Sequence, residues 1–373
     1  MTVRKPRFLM VLSALAAAGL MATACASSSK SSSTTTAGGT GSTGQATTVT
    51  AKEAPITATL TASGATFPKP FYDEMVAEYK KVQPGVNQTY AGGGSGKGRQ
   101  DLADQLVDWA GTDATIPDAD KPKFKGGTVL YFPTVAGPIT VSYNVSGVDK
   151  LQLSPDTIAK IFQRQVTSWN AAEIAADNPG IKLPAKPITV AHRSDGSGTT
   201  QNFTQFLVMA SPTVWTLKSG STVTWPADTQ AGNGNPGVAS IVKSTDGGIG
   251  YVDLSDAKAS GLKFASVKNK AGKFIDPTVD AASAALSGAQ VNPDLTYNPL
   301  WADGDKAYPI TAPTWIIAYQ TQTDKAKGAA VKSFLRYVLN DGQKTAKDLD
   351  YASLSDNLRS QAVAQLDKFV IPA

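Results

Sequence analysis

Beyond residue 55 the chain switches repeatedly between two hydrophobic rhythms. Residues 56–62 alternate apolar side chains with threonine, a two-residue period that predicts a half-buried strand. Phe71, Met75, Val76, Tyr79 and Val82 then recur at helical spacing over residues 71–82, and Pro84-Gly85 predicts the stop. Residues 86–90 read as a second strand. Residues 99–107 read as a helix with Leu102, Ala103 and Leu106 on one face, and residues 109–111 as a third strand that delivers Asp113 at its C-terminal end. This βαβαβ order predicts an α/β fold, in which ligand chemistry gathers at the C-terminal ends of the strands. The style continues downstream. Strands are expected over 128–132 and 139–144, separated by Pro133 and Pro138, and over 188–191 and 309–319. Helices are expected over 155–162, 200–209 (Phe203, Phe206 and Leu207 inward), 326–339 and 355–370. No short-period repeat is present.

The first 55 residues follow neither rhythm. Arg4, Lys5 and Arg7 precede an apolar run over residues 8–24, and Ala22-Thr23-Ala24 places small residues before Cys25, the one cysteine of the chain. The run is short for a membrane-spanning helix, which needs roughly 20 apolar residues. It is similar to a bacterial lipoprotein signal (residues 1–24), with Ala22 where a leucine is usual, and implies cleavage before Cys25 and lipidation of its thiol. Secretion without a lipid is the plainer alternative. A cysteine used in this way leaves none for a disulfide, so the exported domain must rely on its core. Residues 26–50 are almost entirely Ser, Thr, Gly and Ala, too polar to offset the entropy of ordering, and residues 25–55 are expected to form a flexible tether. About 25 such residues span roughly 25 to 30 Å, enough to lift a domain clear of a membrane.

Composition adds limits. The chain has 373 residues, enough for two ordinary domains, and 41% of them are hydrophobic. The pI near 9.0 looks basic, but removal of the three cations of the leader leaves 32 Lys and Arg against 30 Asp and Glu. No basic face for nucleic acid is indicated.

The candidate chemistry lies in three Gly/Ser/Thr-rich segments, each at the mouth of a predicted helix. They are Ala65-Thr66-Phe67-Pro68, Gly92-Gly93-Gly94-Ser95-Gly96, and Arg193-Ser194-Asp195-Gly196-Ser197-Gly198-Thr199-Thr200. A helix N-terminus offers unpaired N–H groups and the positive end of the macrodipole, so together these segments suggest an anion cage built from amides, hydroxyls and one guanidinium. The second and third segments, and Asp113, also have plainer readings. Residues 92–98 by themselves are a glycine-rich turn that matches neither the P-loop nor Gly-x-Gly-x-x-Gly, which leaves Lys97 a solvated side chain rather than a phosphate clamp. The third segment could be a helix capped by Ser197 or Thr199, and Asp113 could cap a helix of its own.

In order and spacing, Gly64-Ala65-Thr66-Phe67-Pro68, Gly94-Ser95-Gly96, Asp108-Trp109-Ala110-Gly111-Thr112-Asp113-Ala114 and residues 193–199 resemble the four ligand loops of the periplasmic phosphate-binding proteins of ABC-type phosphate uptake systems, the PstS family. Phe132-Pro133-Thr134-Val135 and Trp169-Asn170 match as well. Thr112 stands where Ser is common, and Gly96-Lys97 where Ser-Gly is frequent; neither change removes a contacting group. The resemblance implies a two-lobed type II periplasmic-binding-protein fold with the ligand in the interlobe cleft. One lobe would hold residues 57–133 and 311–373, the other residues 138–308, with hinges near 132–138 and 308–313. It implies phosphate contacts from Thr66, Phe67, Ser95, Asp113, Arg193, Ser197, Gly198 and Thr199, with Asp195 orienting the arginine. It also implies delivery of inorganic phosphate to an ABC-type permease of membrane subunits and ATPase, with no cofactor or metal, outside the cytoplasmic membrane.

Asp113 would carry the selectivity. A carboxylate repels a bound anion unless the ligand brings a proton to share. Hydrogenphosphate and dihydrogenphosphate carry one and sulfate does not, and a buried acceptor left unpaired can reject an analogue by roughly 10⁴ to 10⁵. Alternatives are a binder of sulfate or molybdate, or a phosphate-sensing surface lipoprotein. A phosphatase is disfavoured: His192 is the one histidine and reads as structural, and acidic pairs such as Asp118 and Asp120 lack histidine partners. Residues 225–236 and 292–305 receive no role. The leader generates one prediction: Cys25→Ser should release the protein into the medium, and persistence in the membrane fraction would refute a lipid tether.

Overall fold

Of this chain, the computed structural model describes residues 53–373; Cys25, the leader and residues 26–52 of the expected tether lie outside the described residues. The end of that tether is bonded to the fold. Glu53 accepts from Ser333 Oγ and Arg336 Nη1, and the Ala54 carbonyl accepts from Gln83 Nε2 at 3.2 Å.

The opening βαβαβ is present as β1 (Ala58–Gly64), α1 (Lys69–Val82), β2 (Val86–Gly93), α2 (Ser95–Ala103) and β3 (Trp109–Thr112). β4 (Val129–Asn144), the short β5 (Gln152–Leu153), α3 (Pro155–Phe162) and α4 (Ala172–Asp177) follow. β6 (Thr189–Arg193) runs into α5 (Gly198–Ala210), and β7 (Gln230–Gly232) into α6 (Gly234–Ser244). β8 (Gly248–Asp253) and α7 (Leu254–Ala259) lead through β9 (Lys263–Phe264), β10 (Ser266–Lys268) and β11 (Phe274–Ile275) to α8 (Val279–Leu286). β12 (Thr311–Tyr319), α9 (Lys325–Leu339) and α10 (Asp356–Gln365) complete the order.

The main sheet runs β2-β1-β3-β12-β4-β8-β6-β7, with β9 also on β4, while β5, β10 and β11 form a small sheet of their own. β1, β2 and β3 are mutually parallel, so their C-terminal ends share one edge. β6 lies parallel to β7 and to β8 in the other half. β4 belongs to both halves. Val129 to Pro138 pair antiparallel with β12, and Ile139 to Asn144 pair with β8.

β4 corrects the expectation of two strands interrupted at Pro133 and Pro138. A proline cannot donate to a ladder, but each of these sits where the ladder is already irregular. The register slips beside Pro133, with Trp315 opposite Pro133 and Thr314 opposite Val135, so Thr134 is the extra residue of a bulge. Pro138 is the last residue paired with β12, immediately before the strand changes partner.

α2 is the second correction. It begins at Ser95 and ends at Ala103, earlier than expected, so Ser95, Gly96 and Gly98 lie within its first turn while Gly92 to Gly94 remain its approach. Leu102 and Ala103 are buried as expected, whereas Leu106 lies past the helix and is exposed. Glycine is a weak helix former, but close packing decides here. A Cβ on Gly98 would lie 2.6 Å from Gly64 Cα and 2.9 Å from the Gly111 carbonyl oxygen, so only a helix without side chains at this position can lie against the ends of β1 and β3.

Each half has an aromatic core. In the first, Trp109 stacks on Tyr90 at 5.2 Å and on Phe334 at 5.4 Å, with Tyr72 edge-on at 5.6 Å. In the second, Tyr251 stacks on Phe203 at 4.5 Å, and Phe162 packs on Phe203 at 4.7 Å. The inward residues expected for α5, Phe203, Phe206 and Leu207, are all buried.

Gly98→Ala should lower stability by about 2 kcal/mol despite the better helix propensity of alanine. Gly288→Ala, where a methyl group meets nothing within 4 Å, should stay within about 0.5 kcal/mol. Equal urea midpoints for the two variants would refute the tight approach of α2.

Candidate functional site

Five loops at strand C-termini converge between the two halves. The β1–α1 loop brings Thr66 and Phe67, α2 begins with Ser95, and β3 ends beside Asp113. From the other half, β6 ends with Arg193 and leads through Asp195 and Ser197 to Gly198 and Thr199 in the first turn of α5. The fifth loop, from β7 to α6, brings Gly234 and Asn235. α1, α2, α5 and α6 all begin at these loops, and their first N–H groups have no intrahelical partners.

The loops touch. Gly96 N donates to the Gly196 carbonyl at 2.8 Å, Asn202 Nδ2 to the Asp113 carbonyl at 2.6 Å, and Asn235 N to Thr66 Oγ1 at 3.2 Å. A Cβ on Gly198 would lie 2.4 Å from Ser95 Oγ and 2.6 Å from Asp113 Cβ, and one on Gly94 would lie 2.2 Å from Asp195 Oδ2. A side chain at either glycine would collide with atoms of the opposite half. The closure leaves Phe67, Ser95, Ser197 and Thr199 with no exposure, and Arg193 4% exposed.

Asp113 is at the centre, 1% exposed. Its Oδ1 accepts from Thr314 Oγ1 at 2.8 Å, its Oδ2 lies 3.3 Å from Ser95 Oγ, and its own N–H donates back to Ser95 Oγ at 3.1 Å. Burial pushes its carboxyl from 3.8 to about 7, against the opposing influence of the Thr314 hydroxyl, Arg193, Ser95 and Arg99. No helix follows it, so the reading of Asp113 as a cap does not hold.

Arg193 faces it from the other half. Nε donates to Asp195 Oδ1 at 2.8 Å and Nη2 to Asp195 Oδ2, a bidentate pair that fixes the plane of the guanidinium. Nη1 donates to Asn235 Oδ1 at 2.9 Å and reaches Thr199 Oγ1 at 3.5 Å. Burial raises the Asp195 carboxyl, but Arg193 and the Gly234 N–H, which donates at 3.0 Å, outweigh it and hold the group below its ordinary value. Ser197 does cap α5, accepting from Thr200 N at 3.0 Å, and its hydroxyl proton stays free to donate elsewhere.

The structure thus brings together the side chains expected from the sequence. Phe67 contributes its buried ring, edge-on to Tyr351 at 5.7 Å, while its carbonyl accepts from Tyr351 Oη at 2.7 Å. Lys97 turns outward to Asp101 at 2.8 Å, and His192 stacks on Trp225 at 5.0 Å. Four participants escaped the sequence reading: Asn202, Asn235, Thr314 and the buried Arg99, whose Nη1 donates to Thr112 Oγ1 at 3.1 Å. Only Asn235 carried a signal, in Gly232-Asn233-Gly234-Asn235 before a helix. Among the described residues no group of three His, Cys, Asp or Glu could hold a metal ion.

Comparison with known proteins places this arrangement. The model of the PBP superfamily domain matches residues 27–342. The phosphate-binding protein PstS of Methanocaldococcus jannaschii is 40% identical over 316 residues, covering 78% of this chain and 81% of that protein. The phosphate-binding protein PstS of Pasteurella multocida is 34% identical, covering 82% and 89%. The chain belongs to the PstS family. Among solved structures, the high-affinity periplasmic phosphate-binding protein PfluDING, solved with phosphate bound, superimposes with a TM-score of 0.69 at 22% identity, covering 83% of this chain and 94% of that one. The fold is accordingly the two-lobed type II form of PstS proteins, which are binding proteins and not enzymes.

An aspartate whose value is higher in the folded than in the unfolded chain binds more protons when folded, so stability falls as pH rises from about 4 to about 7 and levels off above. Asp113→Asn removes this dependence. In oxyanion-free buffer the variant should gain on the parent by about 1 kcal/mol per pH unit across that window. Parallel pH profiles of urea unfolding would show that Asp113 is ionised throughout.

Proposed function

We propose that this protein captures inorganic phosphate outside the cytoplasmic membrane and hands it to an ABC-type phosphate permease. The buried Asp113 carboxyl among helix N-termini is the observation that carries the reading. Thr66, Phe67, Ser95, Ser197, Gly198 and Thr199 surround it with amides and hydroxyls, donors that suit the oxygens of a tetrahedral anion. Arg193 adds one cation, largely offset by Asp195. Charge is then met mainly by oriented dipoles, which suits a carrier that must release its cargo.

Asp113 supplies the discrimination. With an ionised carboxyl, the proton of hydrogenphosphate lies between two oxygens and binding needs no proton from solvent. Sulfate brings none, so Asp113 itself must be protonated first. A carboxyl titrating near 7 makes this a rising cost above neutrality and a small one below it.

The lobes we assign are residues 57–133 with 311–373, and 138–308. The change of partner in β4 at Pro138 supports a hinge near 132–138, with a second near 308–313. Contacts from both lobes to one ligand would favour the closed form. Lipidation at Cys25 and the tether after it would hold the protein at the outer face of the membrane. Among the described residues no helix is long and apolar enough to cross one.

Calorimetric titration of protein stripped of endogenous ligand, with phosphate, sulfate and molybdate, tests the reading. Phosphate should bind far more tightly than sulfate at pH 8, with the gap narrowing at pH 6. Asp113→Asn should relax discrimination more than it weakens phosphate capture, and Arg193→Ala should weaken capture by about 100-fold. Equal affinity for sulfate and phosphate at pH 8, or no heat with phosphate, would sink it.

A further inference from the structure

Residues 225–236 carry no role in the sequence reading, yet their penultimate member lies at the heart of the site. Asn235 is fully buried at the second position of α6, and each of its side-chain polar atoms is engaged. Oδ1 accepts from Arg193 Nη1 at 2.9 Å. Nδ2 donates to Thr199 Oγ1 at 3.2 Å and to Asp253 Oδ2 at 2.8 Å. Asp195 thus holds the Arg193 guanidinium along its Nε edge, and Asn235 holds it at Nη1.

An amide can face the arginine either way round, and only one way is useful. Its carbonyl oxygen must point at Nη1, because an NH₂ group there would set donor against donor. What fixes the orientation lies one residue further back. Asp253 is fully buried at the end of β8 and caps α7, with Oδ1 accepting from Asp256 N at 3.0 Å. Its other oxygen faces Asn235 and accepts from the NH₂ end of that amide.

We propose that Asp253 is a positioning residue that acts through Asn235, orienting the amide so that Arg193 is held for anion binding. This rests on the reading of Arg193 as a phosphate ligand. The consequence is specific to polarity and not to shape. Asp253→Asn keeps the volume and the cap, since asparagine caps helices as well as aspartate does. Its single carbonyl oxygen is then committed to Asp256 N, and its NH₂ group faces Asn235. The Asn235 amide must rotate and present its own NH₂ to the guanidinium.

The test is calorimetric titration of the full chain with inorganic phosphate for the parent, Asn235→Ala, Asp253→Asn and the double variant. Each single change should weaken binding by about 10- to 100-fold, the loss expected when a buried hydrogen bond to a charged group is removed. The double variant should bind no more weakly than Asn235→Ala alone, because Asn235 is the one site residue to which Asp253 is hydrogen-bonded. Asp253→Asn binding like the parent, or losses that multiply in the double variant, would overturn the proposal. Nitrogen-15 resonances of the Arg193 guanidinium, recorded without phosphate, separate this from the proposed function. Both single variants should shift the Nη signals, and unchanged signals would defeat the relay even if the parent proved not to bind phosphate at all.

Discussion

Burying a carboxyl group without a full countercharge is costly, and the site is organised around that cost at Asp113. One oxygen takes the Thr314 hydroxyl and the other faces Ser95, while Arg193 and Arg99 act from further away. These partners do not cancel the burial, and the carboxyl is left near neutrality in its titration. A group in that condition is a proton acceptor waiting for a donor. The same water exclusion strengthens every amide and hydroxyl dipole around it, because their fields are no longer screened by solvent.

The exclusion is a product of architecture. Neither half could bury Asp113 alone: Ser95 and Thr314 come from its own half, whereas Gly198, Asn202 and Arg193 arrive from the other. The halves meet closely, Gly96 N on the Gly196 carbonyl and Gly198 against the side chains of Ser95 and Asp113, so a side chain at Gly198 would hold them apart. β4 joins the two half-sheets and changes partner at a proline, where the ladder has no donor to lose. Pro138 has no N–H to lose at that change of partner, which is the physical attraction of the proposed hinge.

Much of this was legible because it is local. The 3.6-residue spacing of Phe71, Met75 and Tyr79 located α1, and Pro155 to Phe162 was found to the residue. The helix mouths were legible because glycine and small hydroxyl residues before a helix have a direct physical use at an anion site. Resemblance to the PstS family carried the reading from three mouths to named ligands and to two lobes. Local reasoning failed where distant chain intervened. β4 looked broken because the bulge that accommodates Pro133 is made with β12, far along the sequence. α2 looked late because the packing that favours glycine in its first turns comes from β1 and β3.

By itself, then, the sequence determined the alternation of strands and helices, the polar tract before the domain, and which residue types could meet an anion, since periodicity, composition and hydrogen-bonding capacity are properties of neighbouring residues. Tertiary structure decided how those groups are held and how they titrate. Asn235, Asp253 and Thr314 are unremarkable in sequence and become partners of Arg193 and Asp113 only when α6, α7 and β12 are packed around the site. The upward displacement of Asp113 has the same origin: desolvation depends on how many atoms surround a carboxyl in space, and the residues beside it in the chain carry no record of that number.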